Sequence, residues 1–157
     1  MAKRETIIIL ENIRSSENVG SIFRTADAAG VSEIVLAGFS PAPHDQFGRP
    51  NSALLKASLG AERSVPWRRA ARANTIIQNL KRDGYKIIAV EQHLKTINYK
   101  KVRSANKIAF IFGNEVSGIK VATLKNADVI AEIPMRGKKE SLNVSVAVGV
   151  VLYQMLN

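Results

Sequence analysis

The sequence predicts an α/β domain built on a mostly parallel sheet flanked by helices. Three observations lead there. Short runs of β-branched and apolar residues recur along the chain, amphipathic helical patterns fall between them, and a glycine-bearing loop joins one run to a helical stretch. At 157 residues the chain is long enough to bury one real core, and no repeat, low-complexity tract or linker divides 1–157. A single domain is expected.

Thr6–Leu10 reads as the first strand. Ser15-Ser16 then offers an N-cap pair, and Glu17–Ala29 places Val19, Ile22, Phe23 and Ala26 at i, i+3, i+4 and i+7, with Gly30 as the stop. Glu33–Leu36 is the second strand. Pro41, Pro43, Gly48 and Pro50 make Gly38–Asn51 a long exposed loop, and Pro66 limits any helix in Gly60–Pro66. Arg69–Arg82 is predicted as an amphipathic helix closed by Asp83-Gly84. Lys86–Val90, Lys107–Phe112 and Val129–Ile133 are strands whose consecutive apolar positions suit a sheet covered on both faces. Ser141–Leu156 is the last predicted helix, with Ser141 as its N-cap.

Composition limits the chemistry. Lys and Arg number 23 against 13 Asp and Glu, a net charge of +10, which calls for a polyanionic partner: nucleic acid or an anionic membrane surface. Cysteine is absent, which removes disulfides, thiolate zinc sites and any cysteine nucleophile, including the covalent route to C5-methylated pyrimidines. With only His44 and His93, no histidine metal cluster is expected. The apolar run Ile7–Leu10 is far too short for a signal peptide or a membrane span, so the cytoplasm is the expected compartment.

Gly113-Asn-Glu-Val-Ser-Gly118-Ile-Lys120 follows a strand, as a P-loop does. A P-loop would carry Lys and a hydroxyl directly after its second glycine, whereas Ile119 and Lys120 stand here, and Glu115 would repel a phosphate. Triphosphate hydrolysis is excluded on that ground. A dinucleotide fingerprint is also missing, which argues against a Rossmann oxidoreductase. What remains is either a solvated turn or a ligand loop at a sheet edge.

Two further blocks mix small, polar and apolar residues. In the first, Asn12–Val31, Arg24 lies about 140° around the helix from Val19 and so points away from its own core. It faces solvent, a cleft or another chain, and Asn18 sits near the first turn. In the second, Ile133–Ala147, Asn143 is a middling helix former in an otherwise apolar helix. Arg136, Lys138 and Lys139 form a cationic rim beside it.

Together these blocks resemble the SpoU (TrmH) family of RNA ribose 2′-O-methyltransferases, in the SPOUT superfamily. The resemblance rests on Asn18, Gly20, Arg24 and Thr25-Ala26, on Ile111-Phe-Gly113-Asn-Glu115-Val-Ser-Gly118, and on Ile133-Pro-Met135, Ser141-Leu142-Asn143 and Ala147. The linking Lys56-Ala-Ser-Leu-Gly60-Ala61 and Val65-Pro66-Trp67 also fit, so it spans essentially the whole chain.

This resemblance implies a deep trefoil knot in the C-terminal part, a homodimer, and S-adenosylmethionine as cofactor. Backbone groups of Gly113, Ile133 and Leu142 would hold the cofactor, with Ala89, Val90, Glu91, Asn114, Gly118 and Met135 around it. The implied reaction is methyl transfer to a ribose 2′-hydroxyl of tRNA or rRNA. Arg24 would activate the hydroxyl, and Asn18, Glu115, Ser141 and Asn143 would orient the reacting groups. Arg49, Arg68, Arg69, Arg72, Arg136, Lys138 and Lys139 are the candidate RNA contacts, with Gly38–Asn51 as the variable RNA-contacting loop. The last helix is apolar nearly all round, which suits a dimer interface. Two readings compete: a non-catalytic RNA-binding module that kept the fold, and methylation of a base nitrogen, which Ser141-Leu142-Asn143 argues against.

Overall fold

A computed structural model describes residues 3–156. Seven strands, β1 (Glu5–Glu11), β2 (Glu33–Ala37), β3 (Trp67–Ala70), β4 (Lys86–Val90), β5 (Ile97–Asn98), β6 (Lys107–Phe112) and β7 (Val129–Glu132), form one sheet in the order β3-β2-β1-β6-β4-β7-β5. Every strand pair is parallel.

The consecutive apolar runs are explained by helices on both faces. Ile8, Leu10, Phe110 and Phe112 point into one core layer with α1 (Ser16–Ala29), α2 (Ser52–Ser58) and α5 (Val144–Met155). Ile7, Ile9, Ala109 and Ile111 point into the other with α3 (Ala73–Arg82) and α4 (Val121–Leu124). Full burial of side chains such as Phe23 and Phe110 stabilises the fold by roughly 1.5–3 kcal/mol each.

Two helical expectations are corrected. The predicted helix Arg69–Arg82 begins only at Ala73, because Trp67–Ala70 pairs with β2 as an edge strand. Satisfying β2's open backbone outweighs the helix propensity of the Arg-Ala-Ala-Arg stretch. The edge position leaves Arg68 and Arg69 in solvent. The predicted helix Ser141–Leu156 begins at Val144, with Asn143 rather than Ser141 as N-cap. Asn143 Oδ1 accepts from Ser145 N at 2.9 Å, the geometry that makes Asn a strong cap.

Three local devices fix the framework around the sheet edge. Ser15 caps α1 by accepting from Asn18 N at 3.1 Å. Gly20 lets α1 lie directly on α2: a Cβ there would run into the Leu54 carbonyl and come within 2.7 Å of Ala57 Cβ. At the end of β1 the buried Glu11 accepts from Lys120 N at 2.8 Å and Thr123 Oγ1 at 2.5 Å. Those bonds satisfy a carboxylate that burial alone would penalise, and they fasten α4 to the sheet.

Candidate functional site

Because all seven strands run the same way, their C-terminal ends share one edge, where ligands bind in open α/β sheets. A cleft of ≈ 680 Å³ opens there. Val90, Glu91 and Gln92 leave β4 on one side of it, and Phe112–Val116 with Gly118 leave β6 on another. Ile133, Met135 and Glu140–Val144 follow β7, Ala147 projects from α5 and Asn18 from α1.

Hydrogen bonds hold these segments to one another. The Glu115 carboxylate accepts from Arg14 N at 2.9 Å, Ser15 N at 2.9 Å and Asn18 Nδ2 at 3.5 Å, which ties the β6 loop to the start of α1. Asn114 Nδ2 donates to Asn12 O at 2.7 Å, and its Oδ1 accepts from Val116 N and Ser117 N, both at 2.9 Å. Glu91 Oε2 accepts from Ile119 N at 2.7 Å. Gly118, at φ +72, gives that carboxylate room, since a Cβ there would overlap it. Gln92 Nε2 donates to Ile133 O at 2.8 Å, joining the β4 and β7 exits. Asn143 Nδ2 donates to Asn18 Oδ1 at 3.2 Å and closes the circuit between α5 and α1.

Burial works against the charge on Glu115, but the N–H groups of Arg14 and Ser15 and the amide of Asn18 outweigh it. Its pKa lies below the ordinary glutamate value as a result. Among the described residues three carboxylates, Glu91, Glu115 and Glu140, line the cleft, and no lysine or arginine does. In a chain of net charge +10, that makes the cleft an acidic site on a basic protein, suited to a cationic ligand group.

The structure brings Asn18, Glu115, Ser141 and Asn143 into this cleft, and with them Val90, Glu91, Gly113, Asn114, Gly118, Ile133, Met135 and Leu142. It does not bring Arg24 there. Arg24 is exposed on α1, off the cleft lining. Ala89 is fully buried within β4, so its side chain stands behind the wall rather than in it.

None of the seven basic candidates lines the cleft. Arg136, Lys138 and Lys139 are exposed between the lining residues Met135 and Glu140. Arg68 pairs with Glu33 at 3.3 Å, and Arg49 with Asp45 at 2.8 Å. Arg69 Nη2 donates to His44 O, and Arg72 stands just before α3. Sequence reasoning gave no site role to Gln92, Phe112, Val116, Glu140, Val144 or Ala147. Gln92 and Phe112 were findable, as Phe112 ends one predicted strand and Gln92 follows another by two residues, where a parallel sheet places its ligand.

Residues 5–153 match the model of the SpoU rRNA Methylase family. A 23S rRNA (guanosine-2'-O-)-methyltransferase RlmB of Coxiella burnetii is 31% identical over 158 residues, covering 99% of this chain and 60% of the relative. A tRNA (guanosine(18)-2'-O)-methyltransferase of Borreliella burgdorferi is 32% identical over 150 residues, covering 94% of this chain and 64% of the relative. This chain therefore spans less than two thirds of the length of either. The crystal structure of an AdoMet-bound rRNA methyltransferase from Sinorhizobium meliloti superposes with a TM-score of 0.87 at 28% identity, over 98% of this chain and 57% of that one. The A. aeolicus TrmH/SpoU tRNA modifying enzyme gives 0.85 at 25% identity, over 98% of this chain and 75% of that one. With a family model covering nearly its whole length, and with the blocks that carry the likeness gathered at one sheet edge, the chain belongs to the SpoU rRNA Methylase family.

Proposed function

We propose that this chain uses S-adenosylmethionine to methylate a ribose 2′-hydroxyl of tRNA or rRNA. The observation that carries the reading is the hydrogen-bonded circuit Asn143–Asn18–Glu115, which joins three separate sequence blocks at one wall of the cleft. Both curated relatives are named as 2′-O-methyltransferases of RNA, and the S. meliloti structure is AdoMet-bound.

The residues present fit such a cofactor. The cleft volume of ≈ 680 Å³ falls in the range of about 300–1,000 Å³ usual for small-molecule sites. Ile133, Met135, Leu142 and Val144 supply an apolar wall, and the carboxylates suit a ligand bearing sulfonium and ammonium charge. When bound, S-adenosylmethionine supplies an electrophilic methyl group. Gly113, Ile133 and Leu142 offer backbone groups to hold it, with Val90, Asn114, Gly118 and Met135 around them. Asn18, Ser141 and Asn143 orient the ribose, and Glu115 keeps Asn18 and the β6 loop in register.

Arg24 serves as an electrostatic partner rather than a base, since a guanidinium with pKa of about 12 or more does not give up its proton in a protein. It clamps the phosphate beside the target ribose and stabilises the developing alkoxide, while a phosphate oxygen or water takes the proton. Its place outside the cleft lining supports action on the cleft of a second copy in a homodimer. The outer side of α5, with Val146 50% and Tyr153 52% exposed, suits that interface. It adjoins Arg24, because α5 meets α1 where Gly149 faces Thr25.

The trefoil knot draws support from the strand order. The connection from β4 to β6 travels out to β5, beyond β7, which makes it the long excursion that a threaded chain needs. Among the described residues no helix is long and apolar enough to cross a membrane, and the RNA substrates proposed here favour the cytoplasm.

The test is incubation with total RNA and methyl-labelled S-adenosylmethionine, followed by mapping of the label. A 2′-O-methylated nucleotide is the expected product. Label on a base would overturn the reading, and RNA binding without any label would identify a non-catalytic module instead.

A further inference from the structure

Methyl transfer leaves unused the 38–51 loop and the edge strand β3 beside it. Of the five phenylalanines, Phe23, Phe110 and Phe112 are buried, while Phe47 is 71% and Phe39 61% exposed, both in this loop. The loop tip is built rather than slack. Asp45 Oδ1 accepts from Phe47 N at 2.8 Å and Arg49 N at 2.9 Å, and its Oδ2 accepts from Arg49 Nε at 2.8 Å. Those bonds hold the Arg49 guanidinium 5.0 Å from the centre of the Phe47 ring. On β3, Arg69 lies 5.8 Å from the Trp67 ring and donates to His44 O, so strand and tip flank a second hollow of ≈ 390 Å³.

The strand order puts this surface next to the cleft. β2, β1 and β6 are consecutive in the sheet, so the segments leaving their C-terminal ends stand in a row. Phe39 N donates to Asn12 Oδ1 at 3.1 Å, and Asn12 O accepts from the cleft residue Asn114 at 2.7 Å. Asn51, at the far end of the loop, donates to Ser16 Oγ at 2.9 Å, two residues from Asn18. A single residue, Asn12, thus links the start of the aromatic loop to the cleft residue Asn114.

Flat aromatic faces interleaved with guanidinium groups are the chemistry of single-stranded nucleic-acid binding: rings stack on unpaired bases while cations take the phosphates. A duplex keeps its base faces stacked and cannot use the rings. We propose that Phe47, with Phe39 nearer the cleft and Arg49 and Arg69 as phosphate partners, forms a stacking platform for unpaired nucleotides flanking the target ribose. This inference rests on the RNA reading above and deepens it, by specifying looped or single-stranded RNA as the substrate form.

The test compares binding of a mixed-sequence single-stranded oligoribonucleotide with binding of the same strand annealed to its complement. Wild type is expected to bind the single strand more tightly. Phe47→Ala, at an exposed position that leaves the melting temperature unchanged, should weaken single-strand binding by about 5- to 150-fold and leave duplex binding alone. Phe47→Tyr should restore the single-strand affinity. Equal weakening of both forms, no weakening of either, or failure of Phe47→Tyr to restore binding would overturn the platform. If wild type binds neither form, the RNA reading itself fails; if wild type binds and Phe47→Ala binds equally well, only the platform does.

Discussion

Asn143 donates its side-chain amide to Asn18 Oδ1 at 3.2 Å, across 125 positions of sequence, while its own Oδ1 caps α5 through Ser145 N at 2.9 Å. The cap fixes the side chain's orientation, and the fixed amide then sets the position of Asn18. Helix initiation and site assembly thus depend on the same four atoms.

Asn143→Ala removes both functions and should destabilise the protein by about 1 kcal/mol, the usual cost of losing a cap. Asn143→Ser retains a capping oxygen but cannot reach Asn18 as an amide does. It should keep stability within a few tenths of a kcal/mol while lowering turnover as Asn143→Ala does. Denaturation midpoints together with single-turnover rates separate the two roles, and equal activity of Asn143→Ser and wild type would remove Asn143 from the site.

Arg24 lies outside the cleft of its own chain, so its removal should spare cofactor binding. Arg24→Ala is expected to bind S-adenosylmethionine in calorimetry much as wild type does, yet lose on the order of 10²-fold in turnover, the scale of one preorganised charge-stabilising donor. Near-wild-type turnover on the correct RNA would refute the role.

Glu115 has a pKa below its ordinary value of 4.5, because burial's penalty is exceeded by the N–H donors of Arg14 and Ser15. A carboxylate whose folded pKa is depressed stabilises the fold above the unfolded value, and that stabilisation disappears as pH falls through the folded one. The melting temperature of Glu115→Gln should therefore lie below that of wild type by a constant gap at neutral pH. The gap should shrink once the pH drops beneath 4.5. A gap independent of pH would show that shape, and not charge, sets the loop.

Gly20→Ala forces a methyl group against the Leu54 carbonyl and the Ala57 Cβ, and neither a backbone carbonyl nor a Cβ can rotate away. About 1–3 kcal/mol of destabilisation is expected from such overpacking. Gly137→Ala, with no atom within 4 Å of the added Cβ, should be neutral. Chemical denaturation of the pair measures the difference, and a neutral Gly20→Ala would mean that α1 and α2 can separate at little cost.

The sheet was legible because a strand buried on both faces has to be apolar at consecutive positions, as Ile7–Leu10 and Ile108–Phe112 are. β3 was not, since an edge strand keeps its arginines in water and so carries no such run. β5, only Ile97–Asn98, is too short for any periodicity to report. Asn143 looked like an ill-placed helix residue and proved to be the cap, because two polar residues close together compete for one role and sequence does not say which wins. Arg24 was legible as outward-facing from its angle to Val19. The bonds that assemble the cleft, Glu91 to Ile119 N and Asn143 to Asn18, join distant residues that no local pattern connects.

The central pairing of β1 with β6 has a consequence for synthesis. β1, β2 and β3 can assemble as soon as they leave the ribosome, but β1 then shows an open apolar edge until Lys107 and the residues after it arrive. Such an edge recruits other strands, and parallel pairings between distant segments form slowly. The nascent chain is most prone to aggregate during the interval in which the stretch from α3 to β6 is being made. The cleft is completed only after β7, since its final wall is the start of α5.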